Sequence, residues 1–260
     1  MAFGYNPKRK INLFNPSSSE PFKLSRSKLE DFIRCPRCFY LDRRLGVGKP
    51  PMPPFSLNSA VDLLLKKEFD AHRARGSAHP LMKHYKIDAV PFKHEKLDQW
   101  RENFVGIQHH HLPSNFIFFG AVDDVWVNPT GELIVVDYKA TAKDEEVNLD
   151  AQWQQGYKNQ MEIYQWLLRQ NGFEVAPTGY FVYLNGRRDK EAFDGKLEFN
   201  VKVIPYTGDD SWIEGKLLEA KKCLLSDAVP KSAVTCEYCQ YRAAASEVEA
   251  KSSSPGDTLF

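Results

Sequence analysis

Asp137 and Lys139 stand two residues apart near the end of GELIVVDYKAT, residues 131 to 141. Before them Ile134, Val135 and Val136 form a β-branched run of the kind that fills a strand buried on both faces. Alternation along a strand puts the carboxylate and the ammonium on one face of the sheet. Taken alone, Asp-x-Lys could simply mark where a strand leaves the core for solvent. A second stretch shifts that reading. In FIFFGAVDDVWVNPTGEL, Phe116 to Val127 has strand composition, and Asn128, Pro129, Thr130 and Gly131 supply hairpin turn chemistry. Folded back beside Ile134 to Lys139, this strand brings Asp123 near Asp137.

Two carboxylates and a lysine converging on one sheet suit a hard divalent cation. Mg2+ or Mn2+ takes oxygen ligands, so Asp123, Asp137 and a backbone carbonyl, assigned to Tyr138, can hold one and leave places for water and a phosphate oxygen. The ion would lower the pKa of a bound water, and Lys139 would orient that water or neutralise developing charge. Phosphodiester hydrolysis is the reaction such a group serves.

Gly120-Ala121-Val122-Asp123, a hairpin, and then Val136-Asp137-Tyr138-Lys139 resemble the core of the PD-(D/E)XK nucleases, in particular the branch with the RecB nuclease domain and the CRISPR-associated four-cysteine exonucleases. Gln160-Met161-Glu162-Ile163-Tyr164 matches that branch's Gln-x-x-x-Tyr helix, and Ser25 to Gly46, SRSKLEDFIRCPRCFYLDRRLG, resembles its opening helix. The matches occur in the family's order over residues 22 to 242. The resemblance implies an α/β restriction-endonuclease-like core, a central mixed sheet flanked by helices with its ends tied by a four-cysteine metal site. It implies a metal-dependent DNA nuclease acting on single strands or free ends, in repair, recombination or defence. Asp123, Asp137, Lys139, Gln160 and Tyr164 would then be catalytic. One departure stands out: the branch carries a metal-binding histidine on a helix before the sheet, and NSAVDLLLKKEFDAHR places Asp62 there. Asp62 is either an oxygen ligand in its place or a helix-surface residue. In the second case the alternative is a catalytically weak nucleic-acid-binding subunit that keeps the fold.

Four of the five cysteines form two pairs, Cys35-Pro-Arg-Cys38 and Cys236-Glu-Tyr-Cys239. Two Cys-x-x-Cys units so far apart make sense if they meet around a soft metal. The relatives implied by the resemblance hold a 4Fe-4S cluster with one early and three late cysteines. Here the third late one would fall near Ala245, and Cys38 is an addition. The expectation is therefore a 4Fe-4S cluster, with structural zinc, which takes the same four thiolates, as the alternative. Cys223, alone in a helix, reads as a small core residue.

These groups need elements to position them, and 260 residues with 42% hydrophobic and 13% aromatic content suffice for a core. The pattern predicts one domain over residues 22–245, between a flexible segment 1–21 and a disordered Ser-rich tail 246–260. Ser25 caps a first helix, and GVGKPPMPPF, residues 46 to 55, is a proline-rich loop. Leu57 to Ala74 follows as a helix, residues 105–112 and 116–139 as three strands, and Ala151 to Gln170 as an amphipathic helix stopped by Asn171-Gly172. Two strands, Pro177 to Leu184 and Leu197 to Tyr206, precede a last long helix from Asp209 to Ser226. His109 and His111 share a strand face, and a half-buried strand explains them without a metal.

The N-terminus has no apolar leader and no 18-residue apolar run occurs, which predicts a cytoplasmic protein. A net charge of +1 excludes a globally basic nucleic-acid binder. A DNA path must then be local, with Arg34, Arg37, Arg43, Arg44 and Lys49, and Arg187 with Arg188, as candidates. No helicase motif occurs, so unwinding would come from a helicase or another repair or defence protein as partner.

Overall fold

The computed structural model describes residues 8–50 and 56–252. In chain order the elements are β1 (Phe22–Ser25), α1 (Arg26–Arg34), α2 (Pro36–Arg43), α3 (Ser56–Arg75), α4 (Pro80–His84), β2 (Val90–Pro91), α5 (Leu97–Arg101) and β3 (Ile107–His111). They continue as β4 (Phe116–Gly120), β5 (Asp124–Val127), β6 (Leu133–Thr141), α6 (Gln155–Gln170), β7 (Thr178–Gly186), β8 (Phe199–Thr207), α7 (Ile213–Leu225) and α8 (Glu237–Ser252). The described residues group into two compact units, residues 8–50, 112–116 and 214–252 in one and residues 56–111 and 117–213 in the other.

The larger unit is built on a mixed sheet in the order β2-β5-β6-β7-β8, with β6 and β7 parallel and the other pairs antiparallel. Its central strand β6 is buried over its first six residues, as the β-branched run requires. Ile134, Val136 and Tyr138 pack with Trp126 and Val182 against Val61, Leu65 and Phe69 of α3. The alternate residues of β6 meet α6. There Gly179 is needed for close packing, because a Cβ on it would lie 2.4 Å from Met161 Sδ and 2.9 Å from Val135 O.

The hairpin forms as the turn residues predict. Asn128 Oδ1 accepts from the backbone of Thr130 and Glu132 at 3.1 and 2.9 Å, and Gly131 takes a φ of +89° open to glycine. The run Phe116 to Val127 is two strands, not one. β4 ends at Gly120, and Val122 N leaves the ladder to donate to Trp100 O at 3.1 Å. The helix expected from Ala151 starts with a 3-10 turn at Gln152–Gln154, and Asn171 with Gly172 ends it. His109 is half-buried and His111 buried beside Trp166, with ring centroids 5.3 and 6.3 Å away, which supports the packing reading of that strand.

In the smaller unit Phe14 is buried, meets Phe22 edge to face at 5.5 Å, and donates its N–H to Arg43 O at 2.7 Å. The segment read as flexible is therefore packed at that point. Tyr40 Oη donates to Ser226 O at 2.8 Å, joining α2 to the end of α7. α8 extends to Ser252, so residues 246–252 of the expected disordered tail are helical. The rest of that tail, residues 1–7 and residues 51–55 of the proline-rich loop lie outside the described residues. Among the described residues no helix is long and apolar enough to cross a membrane.

Candidate active site and metal centre

The polar end of β6 is not an exit into solvent. Asp137 is fully buried, and Lys139, on the same face, forms an ion pair with its Oδ2. Gln160, one turn before Tyr164 on α6, donates from Nε2 to Asp137 Oδ1 at 2.6 Å and to Tyr164 Oη at 3.2 Å. Asp123 sits at the break between β4 and β5. Continuing the β5–β6 register beyond Asp124 and Val136 would set it opposite Asp137. Its Oδ2 accepts from Tyr138 N at 2.9 Å. All five residues expected to be catalytic thus come together at one sheet end.

Burial raises the Asp137 carboxyl to about 7, Lys139 opposing and the Asp123 charge adding to the rise. A divalent cation between Asp123 and Asp137 would relieve that cost. Among the described residues Asp137 Oδ2 accepts no well-formed hydrogen bond and meets the ammonium of Lys139 alone. A buried carboxylate oxygen so placed beside a second carboxylate is a donor set that fits a hard cation. The Tyr138 side chain turns the other way, its hydroxyl donating to Asp124 Oδ2 at 2.7 Å. Any contribution of Tyr138 to a metal would thus come from its backbone.

Asp62 on α3 lies close enough to Asp123 for that charge, after burial, to help raise its own pKa. Lys66, which the sequence reading missed, stands between them, 2.8 Å from Asp62 Oδ2 and 3.8 Å from Asp123 Oδ1. Its signal was available as the i, i+4 spacing from Asp62. Carboxylate oxygens of Asp62, Asp123 and Asp137 do not all lie within 4.8 Å of one another.

Asp124, next to Asp123, has the opposite fate. It is fully buried and bound by Arg73, by Arg101 at 2.9 Å and by the Tyr138 hydroxyl, while Arg101 also grips Asp70 at 3.0 Å. Alternation sends Asp123 to the site and Asp124 into this ion network. Of the proposed DNA-path residues, Arg43 is excluded from the surface: it is buried and forks onto Asp42 at 3.0 and 2.9 Å. Arg34, Lys49, Arg187 and Arg188 each pair with an acid, Glu30, Asp31, Asp189 and Asp144 respectively.

In the smaller unit Cys35, Cys38, Cys236 and Cys239 converge, all four sulfurs within 4.8 Å of one another. Each pair uses its helix in the same way. Cys35 precedes Pro36, the first residue of α2, and Cys236 precedes Glu237, the first of α8, so Cys38 and Cys239 both fall in a first turn. Helix N-termini favour thiolates there, whereas burial, chiefly, holds the Cys38 and Cys239 thiols up. Burial works to raise the Cys35 thiol, but hydrogen bonds from the backbone of Ala233 and Cys38 bring it down to about 7. Cys38 faces Cys236 and Cys239 at 3.6 Å, and Cys35 faces Cys239 at 3.9 Å. A tetrahedral ion with metal–sulfur bonds of about 2.3 Å spaces its sulfurs about 3.8 Å apart. Cys223 lies outside the cluster, its thiol raised to about 11 by burial.

Among curated proteins none matches the chain. The solved structure titled "Crystal structure of SSO0001" is 19% identical, over 87% of this chain and 86% of that one, with a TM-score of 0.45. The model of the PD-(D/E)XK nuclease superfamily matches residues 23–244, both aspartates, the lysine and all four paired cysteines included. This chain belongs to the PD-(D/E)XK nuclease superfamily.

Proposed function

We propose that the chain is a divalent-metal-dependent nuclease of the RecB-like branch that hydrolyses DNA phosphodiester bonds in single strands or at free ends, in repair, recombination or defence. The observation that carries this is the buried Asp137, held by Gln160 and Lys139 with one oxygen left without a hydrogen bond beside Asp123. Mg2+ or Mn2+, bound by Asp123, Asp137 and the Tyr138 backbone carbonyl, would supply a water of lowered pKa and positive charge for the phosphate, with Asp62 either a further ligand or a helix-surface residue. The chain's own residues do the rest. Lys139 orients the attacking water and balances charge on the phosphate oxygens. Gln160 and Tyr164 fix the Asp137 carboxylate, so that the site is set before substrate arrives.

The four cysteines form a second, structural centre. Sulfur separations of 3.6 to 3.9 Å support a single tetrahedral ion such as Zn2+. In a 4Fe-4S cube each thiolate sits on a different iron and the sulfurs stand further apart, so zinc is favoured over the cluster that the resemblance implies.

Incubation of the purified protein with Mn2+ or Mg2+ and end-labelled single-stranded and duplex DNA tests the main reading. The wild type is expected to cut, with label released as mononucleotides or short fragments, and Asp137→Asn and Lys139→Met to be inactive. An active Asp137→Asn protein, freed of contaminating nuclease, would sink it. So would a well-folded, metal-supplied wild type that cuts neither DNA.

A further inference from the structure

Beyond the groups that hold the metal and water, the sheet end carries an aromatic step. Tyr157, half-buried on the first turn of α6, has its ring 4.6 Å from Lys139 Nζ. Trp153, one turn earlier, meets Tyr157 edge to face at 5.4 Å and 83°. It nonetheless stays 54% exposed. Lys143 Nζ lies 5.0 Å over the indole. A large exposed aromatic is ordinary by itself. This one stands on a backbone tied down by hydrogen bonds. Its neighbour Gln154 is buried, donating to Asn148 O at 2.6 Å and to Tyr183 Oη at 3.2 Å while accepting from Ala151 N at 2.9 Å. The backbone of Lys143 is pinned on both sides by the Asn185 amide, at 2.8 and 2.9 Å.

An indole with an ammonium over it, one ring away from Lys139, offers the two contacts a nucleic-acid strand needs. A nucleotide has a base face to stack and a phosphate to neutralise. A paired base has both faces covered by its neighbours in the duplex, whereas an unpaired one is free to stack. We propose that Trp153, supported by Tyr157 and Lys143, stacks on an unpaired base flanking the cleaved phosphate and so selects single-stranded nucleic acid. This rests on the nuclease reading of the sheet end, and it makes Trp153 a specificity-determining residue, not a catalytic one.

The test is binding of a fluorescent thymidine oligonucleotide by the full chain without added Mg2+ or Mn2+, so that nothing is cut. Trp153→Ala should weaken binding about tenfold, ~1.4 kcal/mol, and Trp153→Phe should recover most of it. An abasic site walked along the oligonucleotide should reveal one position where the wild type loses the same factor and Trp153→Ala loses nothing more. A merely structural tryptophan gives no such position. Binding of blunt duplex should change less than twofold. Equal binding by wild type and Trp153→Ala, or an equal loss on duplex, overturns the inference, as does the absence of an abasic position that cancels the substitution. The nuclease reading is judged separately by cleavage with metal: a wild type that binds and stacks but never cuts would fail that reading and leave this one standing.

Discussion

The sheet-end site and the cysteine cluster differ in how their members come together and in what balances their charge. Asp123, Asp137, Lys139, Gln160 and Tyr164 belong to one hairpin and the next long helix, and Lys139 and Lys66 already stand against the carboxylates. Cys35 and Cys239 are 204 residues apart in sequence, and the four thiols meet one another with the Lys49 ammonium acting on Cys38 and Cys236 from outside the set. The first arrangement can fold without its ion, since each charge has a partner. In the second, four thiolates this close would repel one another, so an ion held among them would become part of the fold.

The largest expected effect follows from that contrast. Replacing Cys35, Cys38, Cys236 or Cys239 by Ser should unfold the smaller unit or aggregate the chain, because structural zinc in finger peptides contributes about 10 to 16 kcal/mol of folding free energy. Cys223→Ser should cost only about 1 kcal/mol. Thermal unfolding checks this, together with elemental analysis expecting about one zinc per chain. Brown protein with about four iron and four sulfide per chain would keep the thiolate staple and replace the ion by a cluster. Well-folded Ser variants without metal would remove the contrast altogether.

Adjacent Asp123 and Asp124 offer the next sharpest comparison, within the larger unit. Asp124→Asn leaves Arg73 and Arg101 buried around a neutral amide, and breaking such a buried network should cost about 3 to 5 kcal/mol of stability. Asp123→Asn removes a partly exposed carboxylate that the proposed function assigns to the cation, so cleavage should fall by more than about 100-fold while the unfolding midpoint stays near that of the wild type. Denaturant unfolding and end-label assays on both variants decide it. A stable, inactive Asp124→Asn would exchange the two roles.

How much of this could be read from the sequence depends on distance along the chain. The hairpin and β6 were legible because Asn128 to Gly131 and the β-branched run act locally. Gln160 and Tyr164 were legible through helical spacing and the family's motif. Asp124 was not, since its partners Arg73 and Arg101 lie on α3 and α5 and nothing nearby announces them. The full burial of Asp137 was hidden for the same reason: α6 covers it from more than twenty residues away. The break after Gly120 escaped because Phe116 to Val122 and Val125 to Val127 both have strand composition on either side of the two aspartates, and the bond that ends β4 goes to the Trp100 carbonyl. The division into two units rests on residues 112–116 and the chain's C-terminal part grouping with its N-terminal part, which no local pattern encodes.

A smaller, pH-dependent effect should separate the sites further. The Asp137 carboxyl is held near 7 in the folded chain by burial, chiefly, and by Asp123, against about 4 when unfolded. Between about pH 4 and pH 7 the folded chain keeps a proton that the unfolded chain has released, so stability falls as pH rises through that window and levels off above it. Asp137→Asn should lack this slope. Unfolding curves without added Mg2+ or Mn2+ at several pH values give the comparison, and parallel curves for wild type and variant would refute it. The cation competes with the same proton, so the Mg2+ or Mn2+ needed for half-maximal cleavage should fall as pH rises toward 7.

The smallest effect concerns Asp62, which stands where the resemblance to the RecB-like branch implies a histidine. Its pair with Lys66 is a partly exposed i, i+4 contact, so Asp62→Ala should change stability by only about 0.3 to 0.5 kcal/mol. Its consequence for the metal should be larger. Without Asp62 the Lys66 ammonium is left to Asp123, the carboxylate a cation needs, and electrostatic competition should raise the Mn2+ required for half-maximal cleavage several-fold. Asp62→His should recover part of that requirement if the position is a ligand, since imidazole suits Mn2+ less well than carboxylate but still binds it. Lys66→Met in the Asp62→Ala background removes the competing ammonium. Recovery there, with none from Asp62→His, would assign Asp62 to holding Lys66 off Asp123. Metal titrations indistinguishable from wild type for all three variants would leave Asp62 a helix-surface residue, and the sheet end would then hold its ion with Asp123 and Asp137 as its carboxylates.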